Sequence, residues 1–346
     1  MAVADEGDAI TRAIRRHRAR LNKSGRRTTS DLLAAYGDAY RSLLADATAL
    51  GSKIDAARTA GVVVDAVWLQ KERRYISLLA DIETEVGRFA GDAYKTTLRT
   101  VADAVTAAGD DTAHVIARLR RLGSTPAAAN VVSAILPTDT IETLAATTTR
   151  QAPVGKLFRT IAKDAAEEAR TMLLAETAKG TSGKTIARKL ASTLQIPLTR
   201  ATTIVRTEQM RAYRLTAHAR YESAGVTEWV WLAGTSGRTC PACWGKHGKR
   251  FPIRIPMGSH PNCRCTSVPF VDGVTDITDG ETLFGALPAA EKLAVLGPAK
   301  MRAYNAGTIS LADLAVDHVH AEWGQSVRQA SLRELLGTAA EQFYRP

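Results

Sequence analysis

Outside residues 240–265 this chain of 346 residues has no cysteine. A disulfide framework spread along the chain is therefore excluded, and whatever the thiols do, they do within one short segment. Aromatic residues make up 5% of the chain while alanine is abundant, a balance that favours helix over sheet. No run of 18 or more apolar residues occurs, so no transmembrane helix is expected. The opening MAVADEGDAITRAIRRHRAR lacks an apolar stretch after its positive charges and does not read as a signal peptide. The protein is thus expected to stay in the compartment where it is made. If that compartment is reducing, clustered cysteines lean toward metal rather than disulfides.

Acidic residues are scarce in the middle of the chain. Residues 151–270 hold 19 Lys+Arg against 7 Asp+Glu, a balance of +12, while the rest holds 27 against 28. Almost the whole net charge of +11 therefore sits in that third. A second basic run, RAIRRHRARLNKSGRR at residues 12–27, contains no acid. Such patches suit a polyanion such as DNA. A solvated face, or a surface for an acidic protein partner, would look the same in sequence.

Residues 1–225 read as helix after helix. From Asp65 onward, DAVWLQKERRYISLLADIETEVGRFAGDAYKTTLRTVADAV keeps apolar residues at spacings of three and four for many turns. This predicts a long hairpin or bundle helix, with a break near Gly87 or Gly91. Turn-like breaks are expected at NKSGRR, GDDT, GSTP and APVG. Further helices are expected over 154–178, over IARKLASTL and from about Leu198 to Ala224. Strand grammar begins with VTEWVWLA, where Trp229 and Trp231 alternate with Val230 and Leu232 as in a half-buried strand. CTSVPFV reads as a second short strand with Pro269 at an edge or end. Short helices are expected around LPAAEKLAVLG, PAKMRAYNAG and SLADLAVDHVHAEW, and the last twenty residues as an amphipathic helix. The expected fold class is mainly α, a long N-terminal helical region followed by an α+β domain with a small strand-and-knuckle module. Boundaries are drawn at 1–150 (helical interaction region), 151–272 (core with the Cys/His knuckle) and 273–346 (helical C-terminal segment).

Three motifs invite a function that their context does not support. GTSGKT (180–185) resembles half of a phosphate loop, but Ala178 stands where the first glycine belongs and the preceding MLLAETA reads as helix. A helix stop at Gly180 and a Ser/Thr N-cap for the next helix account for it. Glu208 lies on an apolar helix stripe with Ala201, Val205, Ala212, Leu215 and Ala219. A carboxylate there needs a cation or donors, and Arg206 and Arg211 are near in sequence. His318 and His320 are two apart on an expected helix, where they would point away from each other, so no metal pair is expected.

The cysteine segment, TCPACWGKHGKRFPIRIPMGSHPNCRCTSVP (239–269), has five borderline donors: Cys240, Cys243, His260, Cys263 and Cys265. A structural zinc takes four such ligands tetrahedrally, and a two-residue gap lets both thiolates of a knuckle turn reach one ion. Gly245, Gly248 and Gly258 permit the tight turns of the intervening loop. Cys263 and Cys265, two apart, point to one face of an extended strand. Disulfides across such short gaps would be strained. Structural zinc is the expected cofactor, bound by four of the five. The alternative is a metal-free knuckle whose residues pack and hydrogen-bond. A catalytic zinc would need an open position beside an acid or base, and no good candidate stands out, so no catalytic residue is assigned.

The order of these motifs resembles the phage Mu F-like head morphogenesis proteins, minor head proteins of tailed bacteriophages. The matching pieces are RTEQMRAY (206–213), EWVWLA, RTCPACWGKHGKRF, HPNCRC and LGPAKMRAYNAGTISLADL (296–314), so the resemblance covers about residues 155–315. One departure is Ser236, where the family often has an acid four positions before the first cysteine. The resemblance implies a structural virion protein, not an enzyme. It would be assembled in the host cytoplasm and lie in the capsid interior near the portal. The implied partner is the portal protein, with scaffold or major capsid protein and non-specific double-stranded DNA as further partners, and no membrane. A zinc-binding DNA protein that shares the knuckle, or a metal-dependent nuclease, is the alternative.

Overall fold

The computed structural model describes residues 2–121 and 154–344. In chain order the elements are α1 (Ala2–Thr59), α2 (Ala66–Lys71), α3 (Arg73–Arg121), α4 (Val154–Arg159), α5 (Ile161–Ala178), α6 (Gly183–Thr193), α7 (Ile196–Ser223), β1 (Glu228–Leu232), α8 (Pro241–Lys246), β2 (Arg250–Pro252), β3 (Thr266–Phe270), α9 (Gly280–Gly285), α10 (Ala289–Asn305), β4 (Ala315–His320), β5 (Gly324–Gln329), α11 (Leu332–Leu336) and, after a 3-10 turn, α12 (Glu341–Tyr344). The mainly α class with a small sheet region and a Cys/His cluster is what the sequence pattern leads one to expect. No helix among the described residues is long and apolar enough to cross a membrane.

Three expected breaks are absent. NKSGRR lies inside α1, and GDDT, Gly87 and Gly91 lie inside α3. A glycine in a helix costs about 1 kcal/mol relative to alanine, and the apolar stripes outweigh it. In α3 the stripe runs Leu78, Ile82, Val86, Phe89, Ala93, Val101, Ala104, Ala108, every one buried. The breaks expected at GSTP and at the start of APVG lie outside the described residues.

The described residues form two compact units. The helical unit comprises residues 24–100 and 154–208. Its packing is tightest where Gly51 of α1 meets Gly183 of α6. A Cβ added at Gly183 would lie 1.8 Å from the Gly51 carbonyl oxygen. Asp55 accepts the Gly183 N–H (2.7 Å), and Arg58 donates to the carbonyls of Thr181 (2.6 Å) and Thr177 (3.2 Å). Gly180 has φ 73°, and the Ser182 hydroxyl caps α6 by accepting the Thr185 N–H. The GTSGKT stretch thus stops one helix, starts the next and leaves the Gly183 amide on Asp55 rather than open to a phosphate. Gly183→Ala should destabilise the protein by about 1–3 kcal/mol or more, since two backbones would have to part. A denaturation midpoint unchanged by the substitution would refute this close approach.

The sheet unit comprises residues 2–23, 101–121 and 209–344. Here β1 is central in a three-stranded antiparallel sheet of order β2-β1-β3, with Trp229 opposite Phe251 and Pro269. Pro269 falls on the edge strand β3, where its missing N–H costs no ladder bond. The expectation of a half-buried β1 is corrected, because Trp229 to Leu232 are all buried. Leu232 packs with Val268 against Ile10, Ile14, Val115, Ala217 and Tyr221, while Trp229 and Trp231 pack against Cys243, Cys263, Cys265, Met257 and Val327. Helices cover one face and the cysteine segment covers the other.

A second correction concerns the C-terminal region. AVDHVH is a strand, not a helix. It pairs with β5 in an antiparallel hairpin, His318 opposite Ser326 and His320 opposite Gly324. Gly324 has φ 67°, a conformation open to glycine at little cost, and so closes the turn. The last residues are likewise not one helix, since β5 reaches Gln329 before α11 begins at a Ser331–Glu334 capping box.

Candidate metal centre

The cluster is assembled from a helix start and a strand start. Cys240 is the N-cap of α8, its Sγ accepting the Cys243 N–H (3.4 Å), with Pro241 in the first helical position. One helical turn thus places Cys240 and Cys243 side by side. The return arm turns at His260–Cys263, where Asn262 is left-handed (φ 61°) and the Cys263 N–H reaches the His260 carbonyl (3.1 Å). Gly245 lets the knuckle seat closely, since a Cβ there would lie 2.1 Å from the Leu311 carbonyl oxygen.

All five expected donors fall into one cluster. Their ligand atoms form two triads, Cys240/Cys243/His260 and Cys243/Cys263/Cys265, each within 4.8 Å. His260 Nε2 lies 3.1 Å from Cys240 Sγ and 3.3 Å from Cys243 Sγ, and Cys243 Sγ lies 3.7 Å from Cys263 Sγ. With Zn–S near 2.3 Å and Zn–N near 2.0 Å, the edges of a tetrahedral site are about 3.5–3.8 Å, so the donors stand close to that spacing. His260 Nδ1 is 2.8 Å from the Pro261 carbonyl, to which it donates. In the neutral, metal-ligating form of the ring that bond leaves Nε2 bare and aimed at the sulfurs, the usual second bond of a metal-ligating histidine. The chemistry and the placement of the residues fit a tetrahedral metal, and the cluster could bind one.

Charge within the cluster is arranged for thiolates. Cys240 is pushed down to about 5, chiefly by its hydrogen bond with Cys243, with His260 adding to the effect against burial. Cys263 is held well below the thiol range by its Cys243 and Cys265 contacts. Cys243 is raised by the contacts that favour its neighbours. The contact with Cys243 lowers Cys265, but Cys263 and burial outweigh it and raise the group overall. Burial alone would lower His260, yet hydrogen bonds with Cys240 and Cys263 lift it to about 11. Cations stand behind the sulfurs. Arg214 of α7, 3% exposed, donates to the Cys265 carbonyl through Nε (2.9 Å) and Nη2 (2.7 Å), to the Cys263 carbonyl (3.0 Å) and to Ser259 Oγ. Arg18, from the basic run of α1, donates to the Ala233 carbonyl, and its charge is felt at Cys265. A zinc held by three thiolates and an imidazole carries a net negative charge, which these guanidiniums offset.

Neither arginine could be assigned from sequence spacing, because each reaches the cluster from a distant helix. Arg214 sits within the YRLTAHA run, where nothing marks it apart from its neighbours. Glu208 is fully buried, as its stripe position implies, but belongs to neither triad. Part of the basic run of residues 12–27 serves structure too. His17 and Arg20 meet buried Asp111, which also accepts from Tyr213 (3.1 Å).

Residues 167–268 match the family described as Phage Mu protein F like protein. Over these residues the chain is similar to the Mu F-like phage proteins. The matched span opens inside α5, includes α7 with Arg214, and closes in β3, so it contains every donor of the cluster. It takes in fewer than a third of the 346 residues and leaves out β4 and β5. That family is phage head-related. Comparison with curated proteins returned no match. Comparison with solved structures returned none.

Proposed function

We propose that this Mu F-like protein is a structural minor head protein of a tailed bacteriophage, acting in head morphogenesis beside the portal inside the procapsid. The observation that carries the reading is the coincidence of the family match with the rigid sheet-and-knuckle module. The knuckle is closed by a structural zinc on four of Cys240, Cys243, His260, Cys263 and Cys265, and its role is to hold a docking surface rather than to catalyse. Co-purification of the full-length chain with portal, and its presence in purified virions by mass spectrometry, would support this. Absence from both would end it.

The charge supports a polyanion or an acidic protein as the surface met. Residues 229–271 contain no Asp or Glu, and Arg238, Lys249, Arg250, Arg254 and Arg264 are exposed along them. Arg250 lies over the Phe270 ring at 4.4 Å, which fixes its direction. If this face meets DNA, affinity should be independent of sequence and fall steeply with salt. Replacing Arg250 and Arg254 with alanine should flatten the log–log salt slope by about 2, roughly 0.9 per phosphate contact. The check is DNA alone against portal alone at matched ionic strength. Binding to portal with no duplex shift at low salt would assign the charge to docking.

A further inference from the structure

The β4–β5 hairpin lies outside the Mu F-like match, yet it faces the knuckle. Pairing of His318 with Ser326 and of His320 with Gly324 puts His318, His320, Ser326 and Arg328 on one face. That face is one wall of a cleft of about 280 Å³, and Cys240, His260 and Pro261 form the other. Two polar atoms on the hairpin wall, His318 Nδ1 and Ser326 Oγ, are buried without a hydrogen-bond partner, and Ser326 is 3% exposed. A buried polar atom left without a partner is costly, and a ligand in the cleft would relieve that cost.

The lining answers in chemical terms. No carboxylate lines the cleft, and Arg328 is already held by Glu334 through both terminal nitrogens. Beside the Ser326 hydroxyl and the Gln329 amide, the lining offers one thiol and three imidazoles. Nitrogen and sulfur donors without carboxylates select borderline transition metals over magnesium or calcium. The His318 and His320 ring centroids are 6.2 Å apart. A ligating ring has its centroid about 3.2 Å from the ion, so two rings on one ion stand at most about 6.4 Å apart. The pair is within that reach and closes further by a change of side-chain torsion.

We propose that this cleft is a second, exchangeable metal position, anchored by His318 and His320 and taking a borderline ion such as Ni²⁺, Cu²⁺ or Zn²⁺. Cys240 stands between this position and the knuckle, but the histidine pair does not depend on the knuckle being loaded. His320 Nδ1 accepts the Glu322 N–H (3.1 Å). Binding turns that ring about Cβ–Cγ and leaves the Glu322 N–H to solvent at an exposed turn.

The test uses the untagged full-length chain, supplied with zinc, freed of loose metal and titrated with Ni²⁺ by calorimetry. The expected result is one further Ni²⁺ per chain. Loss of even an outer-shell partner costs 10–100-fold in metal affinity, so His318→Gln and His320→Gln should each weaken Ni²⁺ binding at least about tenfold. Zinc content should stay unchanged in both. A wild-type isotherm no different from that of the double variant overturns the proposal. A readout without variants guards against misfolding. Ni²⁺ should slow carbethoxylation of His318 and His320 by diethyl pyrocarbonate, followed peptide by peptide in the unmodified chain, and equal rates at saturating Ni²⁺ overturn the proposal as well. Elemental analysis reads the knuckle separately. A chain without zinc whose Ni²⁺ binding still needs His318 would sink the knuckle reading and leave the cleft standing.

Discussion

Replacing Cys243 with serine should strip the metal from the knuckle. Cys243 belongs to both triads, so its loss leaves neither triad intact, whereas Cys240 and Cys265 each belong to one. It is 1% exposed and part of the apolar cluster with Trp229, Trp231 and Val327, so the loss is felt in packing as well as in coordination. Structural zinc supplies about 10–16 kcal/mol in isolated finger peptides. A module braced by a sheet should lose less, but the effect should still exceed that of any other single substitution here. Zinc content should fall from about one per chain toward zero. Amide exchange should accelerate across residues 239–269, and Cys240→Ser or Cys265→Ser should cost less than Cys243→Ser. Stoichiometric zinc in the Cys243→Ser protein would move the ion to the other four donors, and wild-type protein made with zinc supplied yet free of metal would end the metal reading of this cluster.

The second large effect should come from a residue that binds no metal. Arg214→Ala would remove a buried guanidinium that holds the carbonyls of Cys263 and Cys265 and the Ser259 hydroxyl. Hydrogen bonds from a charged group contribute about 1.5–3 kcal/mol each, and the acceptors left behind would be buried and bare. A net loss of about 3–5 kcal/mol is expected, in the range for breaking a buried charged contact. The knuckle's return arm would also lose its anchor, so zinc should bind about 10–100-fold more weakly. Arg214→Lys discriminates the cause. A lysine keeps the charge but not the planar fork that spans two carbonyls, so it should recover only a minor part of both losses. Full recovery by lysine would mean that charge, not geometry, is what the site needs. An unchanged denaturation midpoint for Arg214→Ala would mean that the contacts have no energetic role.

Much of the helical architecture was legible because it is local. Stripes at spacings of three and four in α1 and α3 mark their faces without knowledge of the partner, and the Ser182 and Gly180 signals at α6 are backbone chemistry of adjacent residues. The same reading placed turns at NKSGRR and GDDT that do not exist, because it weighed each glycine and aspartate by its neighbours alone. Asp111 stays in a helix since Arg20, His17 and Tyr213 satisfy it there, and those contacts come from residues far away in sequence.

The candidate site divides the same way. The five residues of the cluster could be named from the sequence because knuckle spacing is itself short-range geometry: a two-residue gap on a helix start, and a one-residue gap on a strand start. Which side chains stand behind them was decided by tertiary structure. Arg214 and Arg18 reach the cluster across 51 and 215 residues of chain, and no local signal sets them apart from the other cations around them. The hairpin shows the limit most plainly. AVDHVH is too short for period to separate strand from helix, and a helix would have sent His318 and His320 to different sides. Pairing with β5, and the burial of Val327 against the cysteine segment, settle it as a strand and put both rings on one face. By itself the sequence determined most of the helices and the residues of the knuckle, because those signals are local. Only the folded chain decided which distant charges support the knuckle and what faces it, because those are contacts between segments whose own patterns are indifferent to one another.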